Sequence, residues 1–451
     1  MFAFARKSAL RPRFAFAAAL LAGTTLGVVA LEAPAHAQRN KKEAEPATPK
    51  ADYSKNFVAA YRPVDELVQA ERGAEAKPQV AGVVALAQTA DDRNAAGGML
   101  YNVGTQTSDP AMQLRGLDMM LASGRVDSAR AGQYNFTAYQ IANQNNDAAN
   151  ARKYLEGAIA ADYSFEGRLA DGTIKQFGAD DLRAMLAELY FDESDHATGL
   201  NYLKTMIEQR AASGQQVPDS WIKRGLSVAY QNELVPQSID FAGLYVRHYP
   251  SETSWADAIA IQRNLVEYDS HATLDLLRLA ARNNALRDGR AYIDYIEAAD
   301  ARRLPAEVKR MLDQGIASGK LNRGDALVAE ANQIASGRVA AEKADQPALE
   351  RDARAPNATA VLATAAGDSY LSSGDAAKAE AMYRIALGKP GVDTARVTTR
   401  LGIALADQGK SAEAIETFGQ VQGARAPIAR LWSIHVGQKS APAPAAVATT
   451  G

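Results

Sequence analysis

The chain has 451 residues, of which 47% are hydrophobic and 7% aromatic, and its formal net charge is −2. This hydrophobic content excludes a wholly disordered chain, and the low aromatic share is typical of a core made from alanine and leucine. The absence of cysteine excludes disulfides, thiol nucleophiles and thiolate metal sites. No dense basic stripe is present, so we expect no nucleic-acid partner.

Residues 1–37 have the pattern of a secretory signal peptide. A basic start precedes an apolar run from Phe14 to Ala30, and Ala35 and Ala37 are the small residues that a signal peptidase reads. An uncleaved anchor is the alternative, although glycine and threonine interrupt the run. We expect cleavage before Gln38 and a soluble periplasmic protein without stable membrane insertion.

The rest of the chain is dominated by amphipathic helical patterns, with no convincing alternating strand segments. Composition and pattern predict five regions: a flexible leader (38–52), a helical-repeat array (53–337), a charged connector (338–356), two further repeats with a closing helix (357–438), and an Ala/Pro tail (439–451). The connector is either a hinge or a solvated helix. A solvated helix is favoured because Pro347 is its only helix-breaking residue.

Two segments near the C-terminus repeat one pattern at a spacing of 35 residues. The segment AAGDSYLSSGDAAKAEAMYRIAL begins at Ala365, and RLGIALADQGKSAEAIETFGQVQ begins at Arg400. The matching pairs are Gly367 with Gly402, Gly374 with Gly409, Ala379 with Ala414, and Tyr383 with Phe418. Four matches in one register indicate a repeat of two short helices.

This pattern resembles the tetratricopeptide repeat (TPR), whose units are pairs of antiparallel helices. The residues that carry the resemblance are Gly367, Tyr370, Ala379, Tyr383 and Ala386 in one unit, and Gly402, Leu405, Ala414 and Phe418 in the next. Val421 departs from the signature. The resemblance implies an all-α solenoid of stacked antiparallel helix pairs, in which Gly367 and Ala379 let two helices approach and Tyr383 fills the adjoining space.

Upstream copies of the repeat are degenerate. Gly225 and Phe241 fit one unit, but Gln237 stands where a small residue belongs, and Glu166 to Gly178 reads as an insertion. At the other end, Ala426 to Val436 is expected to form a helix that covers the last repeat.

In this family the ligand usually lies along the concave face formed by the first helix of each pair. The resemblance therefore implies that a protein or peptide of the cell envelope binds this chain there. The residues placed on that face are Asp368, Leu371, Arg396, Thr399, Ile403 and Asp407.

Only one cluster of side chains suggests a metal site. Asp192, Glu193, Asp195 and His196 lie together, but they fall at a turn before a helix, where acids cap exposed amide groups. Capping is the favoured interpretation, and the similar turn at Asp269 supports it. No metal or other cofactor is expected.

No catalytic constellation is evident, so a non-catalytic protein is predicted. Glu193-Ser194 resembles the Glu-Ser pair of lytic transglycosylases, but the accompanying Gly-Leu-Met-Gln stretch is absent. The histidines have no triad partners, and phosphate-binding loops are missing. The alternatives left open are an arm of, or an enzyme in, envelope glycan metabolism, and a scaffold of an export or outer-membrane assembly complex.

Overall fold

The computed structural model describes residues 51–169 and 171–440, so the predicted signal peptide and nearly all of the leader and tail lie outside the described residues. The chain forms two compact units, Met1–Leu203 and Lys204–Gly451. We call them the first and the second unit.

The described part of the first unit contains helices and one β-hairpin. In chain order these are α1 (Lys55–Gln69), α2 (Gly73–Ala85), α3 (Ala90–Gln106), α4 (Pro110–Ala122), α5 (Ser128–Gln144), α6 (Ala148–Ala160), β1 (Phe165–Arg168), β2 (Ile174–Phe177) and α7 (Ala179–Asp192). Helix α8 (His196–Ala212) runs across the division into the second unit.

The second unit continues with helices. They are α9 (Asp219–Gln231), α10 (Val235–His248), α11 (Glu252–Leu265), α12 (Ser270–Arg282), α13 (Gly289–Ala299), α14 (Pro305–Ala317), α15 (Ala326–Ala353), α16 (Ala360–Ser373), α17 (Ala376–Leu387), α18 (Thr394–Asp407), α19 (Ser411–Gly419) and α20 (Ala426–Ser440), with a 3₁₀ turn at Gly423–Arg425. Among the helices described in both units, none combines the length and apolarity that a membrane span requires.

Consecutive helices pack against each other in both units, which confirms the predicted fold of antiparallel helix pairs. In the first unit, α3 packs on α4 and α5 on α6, and the buried side chains between them are mostly alanine, leucine, methionine and tyrosine. A single helix pair cannot bury its own apolar face. The stability of each pair therefore depends on packing against the next pair.

The segment predicted to be an insertion forms the β-hairpin. Strand β1 pairs with β2 in antiparallel register, with Phe165 opposite Phe177. The two rings stack at 5.0 Å, and Phe165 also contacts Phe136 of α5 at 4.5 Å. The hairpin is therefore fixed to the helices by aromatic packing, and each strand is too short for alternation to identify it in the sequence.

The repeat signature has the structural role that the sequence predicts. A Cβ atom at Gly367 would lie 2.5 Å from the ring of Tyr383, and one at Gly402 would lie 2.5 Å from the ring of Phe418. Each aromatic ring thus occupies the space that a side chain would need. Gly225 has the same relation to Phe241, so the degenerate upstream unit keeps this contact although Gln237 breaks the pattern.

Helix α15 covers most of the predicted connector and is continuous through Pro347. It is largely exposed, as expected for a solvated helix, but Gln346 is buried and its amide donates to the Ser369 carbonyl at 3.2 Å. After α15 the second unit folds back, since α16 packs on α14, α18 on α12, and α20 on both α10 and α12. Trp432 of α20 is fully buried.

Candidate functional site

The six residues predicted on the concave face of the C-terminal repeats lie on α16 and α18, but helices of the same chain cover this face. Leu371, Thr399 and Ile403 are buried, and so is Asp368 at 6% exposed. The cause is the return of α16 and α18 onto α14 and α12. Within residues 204–440, the expectation of an open groove along these positions is therefore wrong as the chain is folded here.

The other two predicted groove residues are in ion pairs. The guanidinium of Arg396 donates to Asp368 at 2.7 Å, and Arg282 of α12 pairs with Asp407 through both carboxylate oxygens. Arg282 and Asp407 lie 125 positions apart. Whether any of the six binds a partner stays a prediction, but the structure gives both charged groups a partner inside the chain.

A buried charge network joins α12 to the C-terminal repeats. Its centre is Asp275, which is fully buried and accepts hydrogen bonds from Arg278 Nη1 at 3.1 Å, Arg400 Nε at 3.2 Å and Arg425 Nη1 at 2.7 Å. The backbone carbonyl of Asp275 also accepts from Trp432 Nε1 at 3.0 Å. Through its carboxylate and its backbone carbonyl, Asp275 therefore contacts residues from α12, α18, the 3₁₀ turn and α20.

Two further buried carboxylates complete the network. Glu307 of α14 accepts from Nε and Nη2 of Arg278, at 2.7 and 2.6 Å, and from the hydroxyl of Tyr295 at 2.6 Å. Burial alone would raise the pKa of Glu307, but the Arg278 charge and these hydrogen bonds outweigh it and hold the pKa at about 2. Glu307 is therefore ionised at neutral pH.

Asp368 has the same electrostatic character. It accepts from Arg400 Nη1 at 2.5 Å and from the hydroxyl of Tyr383, the repeat's own aromatic residue, at 2.8 Å. Burial opposes ionisation, but the charges of Arg400 and Arg396 lower its pKa to about 2. The signature tyrosine therefore both fills space beside Gly367 and orients a buried carboxylate.

The acidic cluster at the start of α8 caps the helix, as the sequence predicts. Asp195 Oδ1 accepts from the Thr198 amide at 3.3 Å, and Glu193 pairs with Arg152. The corresponding Asp269 caps α12 through the Ala272 amide at 2.6 Å. In the part of the chain that the structure describes, no group of three or more His, Asp or Glu side chains is placed to hold a metal ion.

Beside the network lies a pocket of about 430 Å³, which we call the arginine pocket. Its walls come from the start of α14, the second half of α15, the first half of α16 and the start of α18. Its cationic residues are Arg302, Arg303, Arg338 and Arg396. Its carboxylates are Glu342, Asp345, Asp368 and Asp393, and its apolar residues include Leu304, Leu349 and Val361.

Three of these arginines have no carboxylate partner within the described residues. Arg302 and Arg338 are exposed and form no ion pair there. Arg303 donates Nη2 to the Ala298 carbonyl at 2.7 Å and Nε to the Ala299 carbonyl at 3.3 Å, so its contacts are to neutral acceptors, although Asp368 and Asp300 lie near enough to act on its charge. Burial, then the nearby Arg400 charge, lower the pKa of Arg303.

His271 lies against this cationic group. Its Nδ1 is 3.2 Å from Arg303 Nη1. Burial, and then the charges of Arg396, Arg400 and Arg303, lower the pKa of His271 to about 4. The imidazole is therefore neutral at neutral pH, and Nδ1 can accept a hydrogen bond from the guanidinium.

Sequence reasoning placed Asp368 and Arg396 at a binding surface, and both line the arginine pocket. It missed Arg302, Arg303 and Arg338, which lie outside the two clear repeats. The adjacent arginines before Pro305 were a visible signal, but Arg338 joins them only because α15 packs along α14 and α16.

No family model matches the chain, and no curated protein matches it. Among solved structures, it is similar to "Structure of Naa15/Naa10 bound to HypK-THB", with 11% identity, a TM-score of 0.29, and 84% of this chain and 70% of that chain covered. It is also similar to "Crystal structure of APC/C hetero-tetramer Cut9-Hcn1", with 13% identity, a TM-score of 0.21, and 86% and 70% covered.

At these TM-scores the fold assignment depends on contacts within the chain itself. Those contacts are the paired antiparallel helices and the glycine–aromatic packing at Gly367 and Gly402. By these contacts, the chain is an all-α protein of consecutive antiparallel helix pairs, and the packing at Gly367 and Gly402 resembles that of the tetratricopeptide repeat.

Proposed function

We propose that the protein is an exported, non-catalytic scaffold that binds another protein in the periplasm. The signal-peptide pattern supports export, and stacked helix pairs supply an extended surface of the kind that binds proteins. The observation that carries the proposal is the arginine pocket, where unpaired guanidinium groups adjoin exposed apolar surface.

The arginine pocket is favoured as the binding site for a partner because helices of the same chain cover the rest of the predicted concave face. Asp275 and Arg400 hold α12 against α18, and this contact buries Thr399 and Ile403. A partner would have to break buried ion pairs to reach these residues. It can reach the pocket without such a cost, since Val361 at its edge is 76% exposed.

Photo-crosslinking in cells tests this function directly. With p-benzoylphenylalanine in place of Val361, we expect one or a few crosslinked protein products in the periplasmic fraction. The matched control is the same substitution at Leu327, which is 40% exposed in the same unit and does not line the pocket. Identical products from both sites, no products from Val361, or retention of the chain in the cytoplasm would each contradict the proposal.

A further inference from the structure

We infer that the arginine pocket binds a carboxylate that has an apolar group beside it. This inference rests on the proposed function, because it states which chemistry of a partner the pocket would recognise. The ligand could be an acidic segment of a protein or a free small carboxylic acid, and both share this chemistry.

The first step is a positive charge that no carboxylate contacts. The buried network itself is balanced in charge, since its four arginines pair with four carboxylates: Arg278, Arg396, Arg400 and Arg425 with Asp275, Glu307, Asp368 and Asp269. Arg303 then adds a charge that only carbonyl oxygens and a neutral imidazole contact. A ligand anion beside Arg303 would therefore meet an unpaired guanidinium in partly buried surroundings, where screening by solvent is weak.

The second step is the availability of donors. The guanidinium groups of Arg302 and Arg338 form no ion pair within the described residues, and each presents a planar fork that matches a carboxylate. Arg396 Nε is buried without a hydrogen-bond acceptor in the described structure. These donors come from the turn before α14, from α15 and from α18, so they converge only in the folded chain.

The third step concerns the charge of the ligand. Glu342 and Asp345 also line the pocket, and Asp393 accepts from the Arg396 amide at 3.1 Å, where it caps α18. The four arginines and four carboxylates of the pocket balance in number, so a second negative charge on the ligand would gain no net attraction. A singly charged carboxylate is sufficient to pair with an unpaired guanidinium.

The fourth step is the apolar part of the wall. Val361 is 76% exposed on α16 and Leu349 of α15 is partly exposed, whereas Leu304 and Pro305 of the same pocket are buried. Covering such surface with an apolar group stabilises a complex by about 25 cal/mol per Å² removed from water. The combination favours an acidic group next to an aliphatic one over a uniformly charged ligand.

The experiment is a fluorescence-anisotropy titration of the full mature chain. The probe is a labelled, terminally blocked hexapeptide with alternating leucine and glutamate, and the comparison probe carries glutamine in place of glutamate. We expect the glutamate peptide to bind at least tenfold more tightly. The double variant Arg302→Gln/Arg338→Gln should weaken its binding at least tenfold, because two charge-assisted contacts are lost.

The matched control variant is Arg247→Gln/Arg323→Gln, which removes two exposed arginines of the same unit that do not line the pocket. It should change the affinity less than twofold. Competition with 4-methylpentanoate, a free acid with an aliphatic group, separates the two sources. Displacement at concentrations comparable to those of the peptide assigns the site to small acids, and no displacement assigns it to protein segments.

Equal affinity for the two peptides, no binding of either, or an unchanged affinity of Arg302→Gln/Arg338→Gln would overturn the inference. If crosslinking from Val361 still captures a partner in those cases, the proposed function stands and only the ligand chemistry is wrong. If crosslinking also fails, both are wrong.

Discussion

The two units of the chain solve the burial of a carboxylate in different ways. In the first unit, Asp92 is fully buried and accepts from neutral donors: the amides of Ser54, Gln88 and Thr89 and the Ser54 hydroxyl. In the second unit, Asp275 is equally buried but contacts three arginines: Arg278 on its own helix, and Arg400 and Arg425 from distant parts of the chain.

The difference reflects which segments each carboxylate joins. Asp92 lies in the first turn of α3 and also accepts from the Ser54 amide just before α1, so backbone amides and one hydroxyl are sufficient. Asp275 joins α12 to segments 125 and 150 residues further along the chain. Charged groups in this position set which helices meet, because an arginine left without its carboxylate in the interior is strongly unfavourable.

The largest effect is expected from Asp275→Asn. This change keeps the shape of the side chain but leaves Arg425 with only a distant contact to Asp269, at 3.6 Å. We expect the free energy of unfolding of the second unit to fall by about 3–5 kcal/mol, as found when one partner of a buried ion pair is removed. Urea denaturation followed by fluorescence measures it.

All three tryptophans, at positions 221, 255 and 432, lie in the second unit, so their fluorescence reports on that unit alone. The control is Asp313→Asn, which breaks the exposed pair with Lys309 on α14 and should cost less than 1 kcal/mol. Equal effects of Asp275→Asn and Asp313→Asn would show that the network does not hold the repeats in place.

A second effect concerns pH. Burial, then the charges of Lys439 and Arg282, lower the pKa of His435 to about 4, and its ring lies between Trp255 and Trp432. The unfolded chain binds this proton below about pH 6.5 and the folded chain only below about pH 4. Stability is therefore complete above pH 6.5 and is lost as the pH falls towards 4.

Between pH 7.5 and 5, this histidine should cost the second unit about 2 kcal/mol. His271 contributes in the same direction, whereas Asp368 and Glu307, with pKa values of about 2, act only at lower pH. Urea titrations at several pH values check this, and His435→Phe should reduce the dependence. A variant that keeps the full dependence would exclude His435 as its source.

A third test compares how the two units respond to an added methyl group where two helices approach closely. A Cβ at Gly97 of α3 would lie 2.8 Å from the backbone oxygen of Gly116, whereas a Cβ at Gly402 would meet only the ring of Phe418. We expect both Gly→Ala changes to destabilise their units by about 1–3 kcal/mol, with the larger loss at Gly97 because backbone cannot move aside as a ring can. Thermal unfolding followed by circular dichroism measures both.

The repeat contact itself can be overpacked from its other side. Ala379 is fully buried between the helices of one repeat, and Ala379→Leu should cost about 1–3 kcal/mol. Unchanged stability would indicate that the space between the two helices of this repeat is not fully packed.

The smallest expected effect is an increase in stability. Gly82 lies exposed inside α2, and nothing lies within 4 Å of a Cβ placed there. Gly82→Ala should stabilise the first unit by about 0.5–1 kcal/mol, because alanine loses less backbone entropy in a helix. A lower melting temperature for Gly82→Ala would show that another group packs against this face of α2.

The pattern of small and aromatic residues was sufficient to predict the helix pairs. Gly367 with Tyr383 and Gly402 with Phe418 are local in sequence, and each pair reports a contact between neighbouring helices. Helix capping was predictable for the same reason, since Asp195 and Asp269 act on amides three residues away.

The candidate site depended on contacts that local patterns do not encode. The return of α18 onto α12 buries Thr399 and Ile403, which a simple stack of pairs would expose. Arg400 and Asp275 bear no mark in the sequence that distinguishes them from solvated charges.

The sequence by itself determined the helices, their pairing and their caps, because these depend on residues within a few turns of one another. Tertiary structure alone decided which face of the repeats is occupied and where the arginines converge. The physical reason is that charged groups more than a hundred residues apart meet only when the packing of the helices between them brings them together.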